Sequence, residues 1–234
     1  MKTWEKIYPS EEGYAYPRQV IYASLYYLAN KGEFWPFVWV WLSYDCYLRT
    51  QDAEALLVDD VCDDGVFISL LLSPRARGLK AKTGSDQGVQ IDSPLLTAII
   101  RAICRNLRPG ERLFPRDRGC INRAWAAALL FLGLRKPRAL HVLRHSGASE
   151  DVSSSRRDLE QVRRRGRWSQ LKSVARYNKT YMLAKSRAET PAPTLELGDM
   201  VEKDLAASLA RAACAGGAGK STHGRAILKA LESC

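Results

Sequence analysis

Four residues in the second half of the chain have types and spacings that suit phosphate chemistry. His141 and Arg144 stand three residues apart, so a helix places them on one face. A cation beside a proton-transfer residue suits a phosphate group, although a plain polar helix face gives the same pair. Downstream, Trp168 and Tyr177 stand nine residues apart, and Tyr181 follows one helical turn later. Spacing alone leaves open whether these aromatic residues belong to a site or to the core.

Two further basic positions lie upstream. Arg49 is predicted at the start of a helix, with Asp52 three residues on. Lys82 lies in a predicted hairpin turn, and Lys80 lies two residues away on the same turn, so the assignment of one lysine stays open. The candidate site residues, in chain order, are Arg49, Lys82, His141, Arg144, Trp168 and Tyr177.

Helices are predicted to position most of these residues. Apolar residues at helical spacing predict helices over 19–30, 34–55, 94–107, 122–132, 138–149, 157–165 and 169–184. Short apolar runs at 56–61, 65–73 and 88–92 predict a small three-stranded antiparallel sheet. The stretch 189–199 is typical of a linker, and tail helices are predicted near 201–213 and 222–232. The predicted fold class is therefore α+β and mostly helical, with one domain over 1–187 and a linker with a helical tail over 188–234.

The net charge of +11 over 234 residues is unevenly distributed. Residues 1–70 carry −6, whereas residues 71–144 carry +11 and residues 156–185 carry +8. A basic stretch attracts polyanions such as nucleic acid, although a solvated basic face gives the same arithmetic. The chain has no apolar run of membrane-spanning length, no signal peptide and no Cys-x-x-Cys pair, so we expect an intracellular protein without a metal site.

The order and spacing of the candidate residues resemble the catalytic domain of the tyrosine recombinases, also called the phage integrase family. The resemblance runs from about residue 17 to 185 and includes Leu-Phe-Pro at 113–115. It implies DNA strand cleavage and rejoining by transesterification through a 3′-phosphotyrosine, as in a site-specific recombinase or the integrase of a mobile element. It also implies double-stranded DNA as the partner, assembly of several copies on DNA, and no metal or nucleotide cofactor.

The resemblance assigns the chemical steps to four residues. Arg49 and Arg144 would bind the phosphate and neutralise the charge of its transition state through paired N–H donors. Tyr177 would attack the phosphorus and hold it covalently. Lys82 would protonate the departing 5′ hydroxyl.

The remaining family positions support these steps. His141 would manage the proton of the tyrosine, and the Trp168 indole N–H, which can only donate, would hold a phosphate oxygen. His145 would give structural support. Tyr177 is preferred to Tyr181 as the nucleophile because its spacing from Trp168 matches the family.

The sequence also departs from the family pattern. Cys46 and Tyr47 stand where Thr-Gly is common, and Arg164 and Arg165 stand where an apolar pair is usual. Fewer than twenty residues precede the matched region, so the usual N-terminal DNA-clamping domain is missing from this sequence. The chain is therefore expected to be a fragment, to rely on a partner for the clamp, or to be a non-catalytic DNA-binding remnant. Topoisomerase IB-like relaxation shares the chemistry and stays open. The tail over 200–232 is expected to dock on a second copy.

Overall fold

The structure is a computed structural model that describes residues 14–79, 84–134, 137–174 and 180–233. The helices within these ranges are α1 (Arg18–Asn30), α2 (Phe34–Asp45), α3 (Thr50–Ala55), α4 (Pro94–Cys104), α5 (Arg118–Phe131), α6 (Val142–Ser153), α7 (Leu159–Arg165), α8 (Thr180–Glu189), α9 (Ala192–Lys203), α10 (Leu205–Ala215) and α11 (Thr222–Glu232). The strands are β1 (Val61–Asp63), β2 (Ile68–Leu72) and β3 (Gln87–Gln90). The predicted fold class is confirmed. In the described part of the chain, no helix combines the length and apolarity needed to cross a bilayer.

Helix α2 is the centre of the hydrophobic core. Every side chain from Phe37 to Leu42 is buried, which is the pattern of a helix surrounded by other elements. Helices α1, α5 and α6 all pack against it. Arg144, near the start of α6, donates a hydrogen bond to the carbonyl of Tyr47, just beyond the C-terminal end of α2, and the candidate site lies there.

A corner formed by residues 46–49 separates α2 from α3. Tyr47 adopts a left-handed backbone conformation with φ of 48°, which a right-handed helix cannot accommodate. The single helix predicted over 34–55 was therefore wrong, because the chain forms two helices joined by this 46–49 corner. The corner places Arg49 directly before α3.

The predicted small sheet is confirmed, with strand order β1-β2-β3 and antiparallel pairing throughout. Leu70 in the central strand lies opposite Val61 on one side and Val89 on the other. Side chains of β2 alternate, so that Ile68, Leu70 and Leu72 face the core. The sheet thus covers one edge of the helical core.

The first strand is shorter than the apolar run over 56–61 predicts. Val58–Asp60 forms a 3-10 turn, and β1 begins only at Val61. The Asp60 carboxylate accepts a hydrogen bond from Leu57 N (2.8 Å) and pairs with Arg77, which follows β2. Side-chain bonding by Asp60 therefore replaces the start of the predicted strand. Residues 80–83 of the β2–β3 connection lie outside the described residues.

Side-chain caps set the starts of α4 and α5. Ser93 Oγ accepts a hydrogen bond from Leu96 N (3.2 Å), as its position before a proline predicts. Asp117 Oδ1 accepts from Cys120 N (2.9 Å), which begins α5 four residues before the predicted start at 122. The helices predicted over 138–149 and 157–165 are α6, which is displaced toward the C-terminus, and α7, which begins two residues later than predicted and ends at the predicted residue.

The stretch predicted to be a linker forms α9, so that prediction was wrong. Gly198 in α9 lies so close to α1 that an added Cβ would stand 2.2 Å from Gln19 O. Val201, Leu209 and Ile227 from the three last helices belong to the main hydrophobic core. Helices α9 and α10 pack on α1, and α11 packs on α4, so the described tail packs against its own chain. The domain boundary at 187/188 stays a prediction.

Candidate active site

The 46–49 corner and the first turn of α3 hold Arg49. Its backbone N–H donates to Asp52 Oδ2 (3.4 Å), and its Nη1 lies 3.6 Å from the same oxygen. The Asp52 side chain is buried, whereas the Arg49 side chain is 20% exposed. The prediction of Arg49 at a helix start with Asp52 three residues on is confirmed. The carboxylate anchors the guanidinium beside the start of α3.

His141 and Arg144 both lie at the start of α6. His141 precedes the helix and is only partly covered by the protein, and its ring meets His145 edge-on with centroids 4.8 Å apart. Partial burial lowers the pKa of His141, and the charges of Arg144 and Arg49 lower it further. The imidazole is therefore neutral at pH 7 and able to accept a proton.

Arg144 turns its guanidinium into the protein and is only 2% exposed. It donates hydrogen bonds to the carbonyl oxygens of Tyr47 and Gly166. Its Cζ lies 4.1 Å from the centroid of the Trp168 ring, which is a cation–π contact. Arg144 thus joins the 46–49 corner to the segment that follows α7. The two carbonyls use two of the five N–H donors that a guanidinium carries.

Gly166 allows Trp168 to fold back over the end of α7. A Cβ on Gly166 would stand 1.6 Å from Cζ3 of the indole, so any larger residue would displace the ring. The Trp168 carbonyl accepts a hydrogen bond from Arg163 Nη1 (2.8 Å), and the ring packs with Val162 and Val174. These contacts hold the indole face against the Arg144 guanidinium.

A network of ion pairs lies behind the 46–49 corner. Its charged members come from four different parts of the chain and are Asp45, Asp92, Asp151, Arg156, Arg157 and Arg165. The Tyr47 hydroxyl donates to Asp151, and burial, followed by the Asp151 charge, raises the pKa of Tyr47. Arg165 lies 2.9 Å from Asp92 and donates to the Asp45 carbonyl (2.7 Å). Arg165, one of the two arginines that stand where the tyrosine recombinases usually have an apolar pair, therefore links α7 to the end of α2.

Four of the six predicted site residues are described, and they lie together: Arg49, His141, Arg144 and Trp168. Lys82 and Tyr177 lie outside the described residues, as does Lys80. Their placement stays a prediction. Tyr181, the alternative nucleophile, lies in α8 and is 63% exposed. Among the residues that the structure describes, no group of three or more His, Cys, Asp or Glu could hold a metal ion.

The groups that support the arginines were not predictable from the sequence. Tyr47 and Arg167 both adopt left-handed backbone conformations, with φ of 48° and 57°, although such positions favour glycine. The Tyr47 carbonyl accepts from both Arg144 and Arg167. A sequence does not show which backbone carbonyl accepts a hydrogen bond. Because neither Tyr47 nor Arg167 is a glycine, their left-handed conformations were not predicted. Among the contacts that support the site arginines, only the pair of Arg49 and Asp52 was indicated by the sequence, through its three-residue spacing.

Solved structures similar in fold to this chain include two complexes of one recombinase. One is the XerH site-specific recombinase bound to its difH substrate in a pre-cleavage complex, with a TM-score of 0.53 and 17% identity over 72% of this chain and 50% of that chain. The other is the post-cleavage complex of XerH with palindromic difH, with a TM-score of 0.54 and 16% identity over 72% of this chain and 51% of that chain. The fold is therefore tyrosine-recombinase-like.

The similarity to XerH concerns the fold alone. This chain spans about half the length of each XerH chain. No family model matches the sequence, and no curated protein matches it.

Proposed function

We propose that this chain cleaves and rejoins double-stranded DNA by transesterification, as a site-specific recombinase or the integrase of a mobile element. The main support is the convergence of Arg49, His141, Arg144 and Trp168 at the junction of α2, α6 and α7. The recombinase-like fold and the basic middle of the chain agree with this function. In this proposal the protein acts inside the cell, bound to DNA and assembled as several copies.

In the proposed reaction, the Tyr177 hydroxyl oxygen bonds to the phosphorus of one DNA strand. The bond between phosphorus and the 5′ oxygen breaks, and its electron pair stays on that oxygen. His141 takes the proton of the tyrosine, and Lys82 gives a proton to the 5′ oxygen. Attack by a 5′ hydroxyl on the phosphotyrosine reverses these steps and rejoins a strand.

The two arginines have the chemistry that the transition state requires. The pentacoordinate phosphorus carries more negative charge than the ground state, and fixed guanidiniums neutralise that charge without reorganisation. Asp52 anchors Arg49, and two carbonyls anchor Arg144. Trp168 contributes an indole N–H, which holds an oxygen but transfers no proton.

One observation favours a second function, that of a DNA-binding remnant without cleavage activity. Arg144 is 2% exposed, and its inward carbonyl contacts are those of a structural arginine. In that case the basic surface binds DNA and the phosphate is never activated. The two functions differ in a single measurable product, which is a covalent complex between protein and DNA.

The test is incubation with nicked suicide DNA substrates, followed by denaturing electrophoresis. The recombinase proposal expects a covalent adduct with the wild-type protein that disappears in Tyr177→Phe. Tyr181→Phe is the matched control, since it removes a tyrosine hydroxyl from an exposed position four residues later in the sequence. The adduct is expected to persist in this variant. Salt-sensitive DNA binding without an adduct across a broad substrate panel would refute cleavage and support the remnant.

A further inference from the structure

Arg167 is a buried cation to which the proposed reaction gives no role. Its side chain is 4% exposed, and its backbone lies in the left-handed region with φ of 57°. A buried guanidinium is costly unless its charge is paired, and the left-handed conformation adds strain for any residue except glycine. Burial of the charge and strain of the backbone both disfavour an arginine at this position. Its side chain is therefore expected to make contacts that a smaller residue could not make.

The guanidinium of Arg167 spans three acceptors. Its Nη2 donates to Tyr47 O (3.1 Å) and to Asp52 Oδ2 (3.2 Å), and its Nη1 donates to Cys46 O (3.4 Å). Burial lowers the pKa of Arg167 to about 10, while the Asp52 charge acts in the opposite direction. Arg167 therefore remains charged at pH 7 and satisfies two carbonyls of the 46–49 corner.

Two of these acceptors are shared with the arginines of the candidate site. Tyr47 O also accepts a hydrogen bond from Arg144, and Asp52 Oδ2 also lies 3.6 Å from Arg49 Nη1. Arg167 thus fixes both the carbonyl that orients one guanidinium and the carboxylate that orients the other. Because Arg167 lies between the carboxylate that holds Arg49 and the carbonyl that holds Arg144, it links α3 to α6 through the end of α7.

We propose that Arg167 is a positioning residue that holds Arg49 and Arg144 in register for a shared DNA phosphate. This inference rests on the proposed function and extends it to a residue outside the six candidates. Lysine cannot replace Arg167, because one ammonium does not span a carboxylate and two carbonyls with the geometry of a planar fork. The residue acts only through the other two arginines, so its loss and theirs should not be additive.

The first experiment reads positioning without DNA. Arg167→Gly suits the left-handed backbone and removes the fork, and Arg167→Lys keeps the charge. Arg164→Gly is the matched control, because that side chain is 76% exposed and pairs only with Glu160 among the described residues. In protein with isotope-labelled arginine, we expect the guanidinium NMR signals of Arg49 and Arg144 to be resolved in the wild type and the control. We expect them to broaden in both Arg167 variants.

The second experiment measures the single-turnover rate of covalent adduct formation. Arg167→Gly should lower this rate by about 10²-fold, the scale of a displacement of about 1 Å in a site, with a much smaller change in DNA affinity. Adding Arg167→Gly to Arg49→Ala should cause a smaller loss than Arg167→Gly causes in the wild type, because only its effect on Arg144 remains. On a methylphosphonate linkage, which carries no charge, the deficit of Arg167→Gly should shrink, whereas a general folding defect would persist on both substrates.

The outcomes separate the two proposals. Wild-type guanidinium signals in both Arg167 variants overturn the positioning role, and so does a fully additive loss in the double variant. Absence of an adduct with the wild-type protein refutes cleavage instead, and the NMR signals then decide the positioning role alone. Should Arg167→Gly fail to fold, Arg167→Lys gives the same readouts.

Discussion

Substitution of Gly147 by alanine tests the contact that joins α6 to α2. An added Cβ would stand 2.2 Å from Tyr44 O and 2.9 Å from the Tyr47 ring. The carbonyl belongs to the backbone of a buried helix and cannot rotate away. Overpacking costs about 1–3 kcal/mol, and a backbone contact this short belongs at the upper end of that range. Removing glycine from a helix interior gains about 1 kcal/mol, so the net loss is about 2 kcal/mol.

Thermal and urea unfolding measure this loss. For a chain of this size, 2 kcal/mol lowers Tm by about 4–8 °C. Gly88→Ala is the matched control, because no atom lies within 4 Å of the Cβ that it adds in β3, and we expect its Tm to stay near that of the wild type. Equal stability of Gly147→Ala and the wild type would show that the two helices do not meet at this glycine.

Three further changes have defined outcomes. Tyr47→Phe removes a hydrogen bond to the charged Asp151 and should lower the free energy of unfolding in urea by about 1.5–3 kcal/mol. Because the pKa of His141 is lowered in the folded state, the unfolded state binds more protons, so stability should fall as the pH drops below about 6.5. His141→Gln should reduce this slope. Gly198→Ala places a Cβ 2.2 Å from Gln19 O and should expose the described tail to limited proteolysis.

Each of these expectations can fail clearly. If the free energy of unfolding is unchanged in Tyr47→Phe, the hydrogen bond from the Tyr47 hydroxyl to Asp151 does not stabilise the fold. An NMR titration in which His141 has its ordinary pKa, or a higher one, contradicts the electrostatic argument. For the tail, Gly219→Ala is the control, since its added Cβ meets no atom within 4 Å. Equal resistance of Gly198→Ala and Gly219→Ala to protease would contradict a close crossing of α9 and α1.

Elements with a local cause were predictable from the sequence. The predicted first helix differs from α1 by one residue at its start, because its apolar spacing is regular. Ser93 begins α4 as the capping rule predicts. The sheet followed from short apolar runs between turns. At the site, the sequence correctly placed Arg49 at the start of a helix, with Asp52 three residues on.

The errors arose where distant contacts override local preference. Tyr47 is held in a left-handed conformation between the buried residues Cys46 and Leu48, so a stretch with continuous helical spacing breaks into two helices. The predicted linker forms α9 because Thr194, Gly198 and Val201 are buried. Arg144 was expected on one helix face with His141 as a phosphate-binding residue, yet its guanidinium points inward to carbonyls that no residue type reveals.

The packing of α9 and α10 on α1 also constrains the order of folding. The Gln19 Nε2 donates to Asp199 Oδ1 (3.0 Å), a bond between positions 180 residues apart. Closing so long a segment is slow, because loop entropy must be overcome before the contact stabilises the chain. During synthesis, the side of α1 that α9 and α10 cover therefore stays exposed until the residues of those two helices leave the ribosome, and exposed apolar surface of this kind favours aggregation.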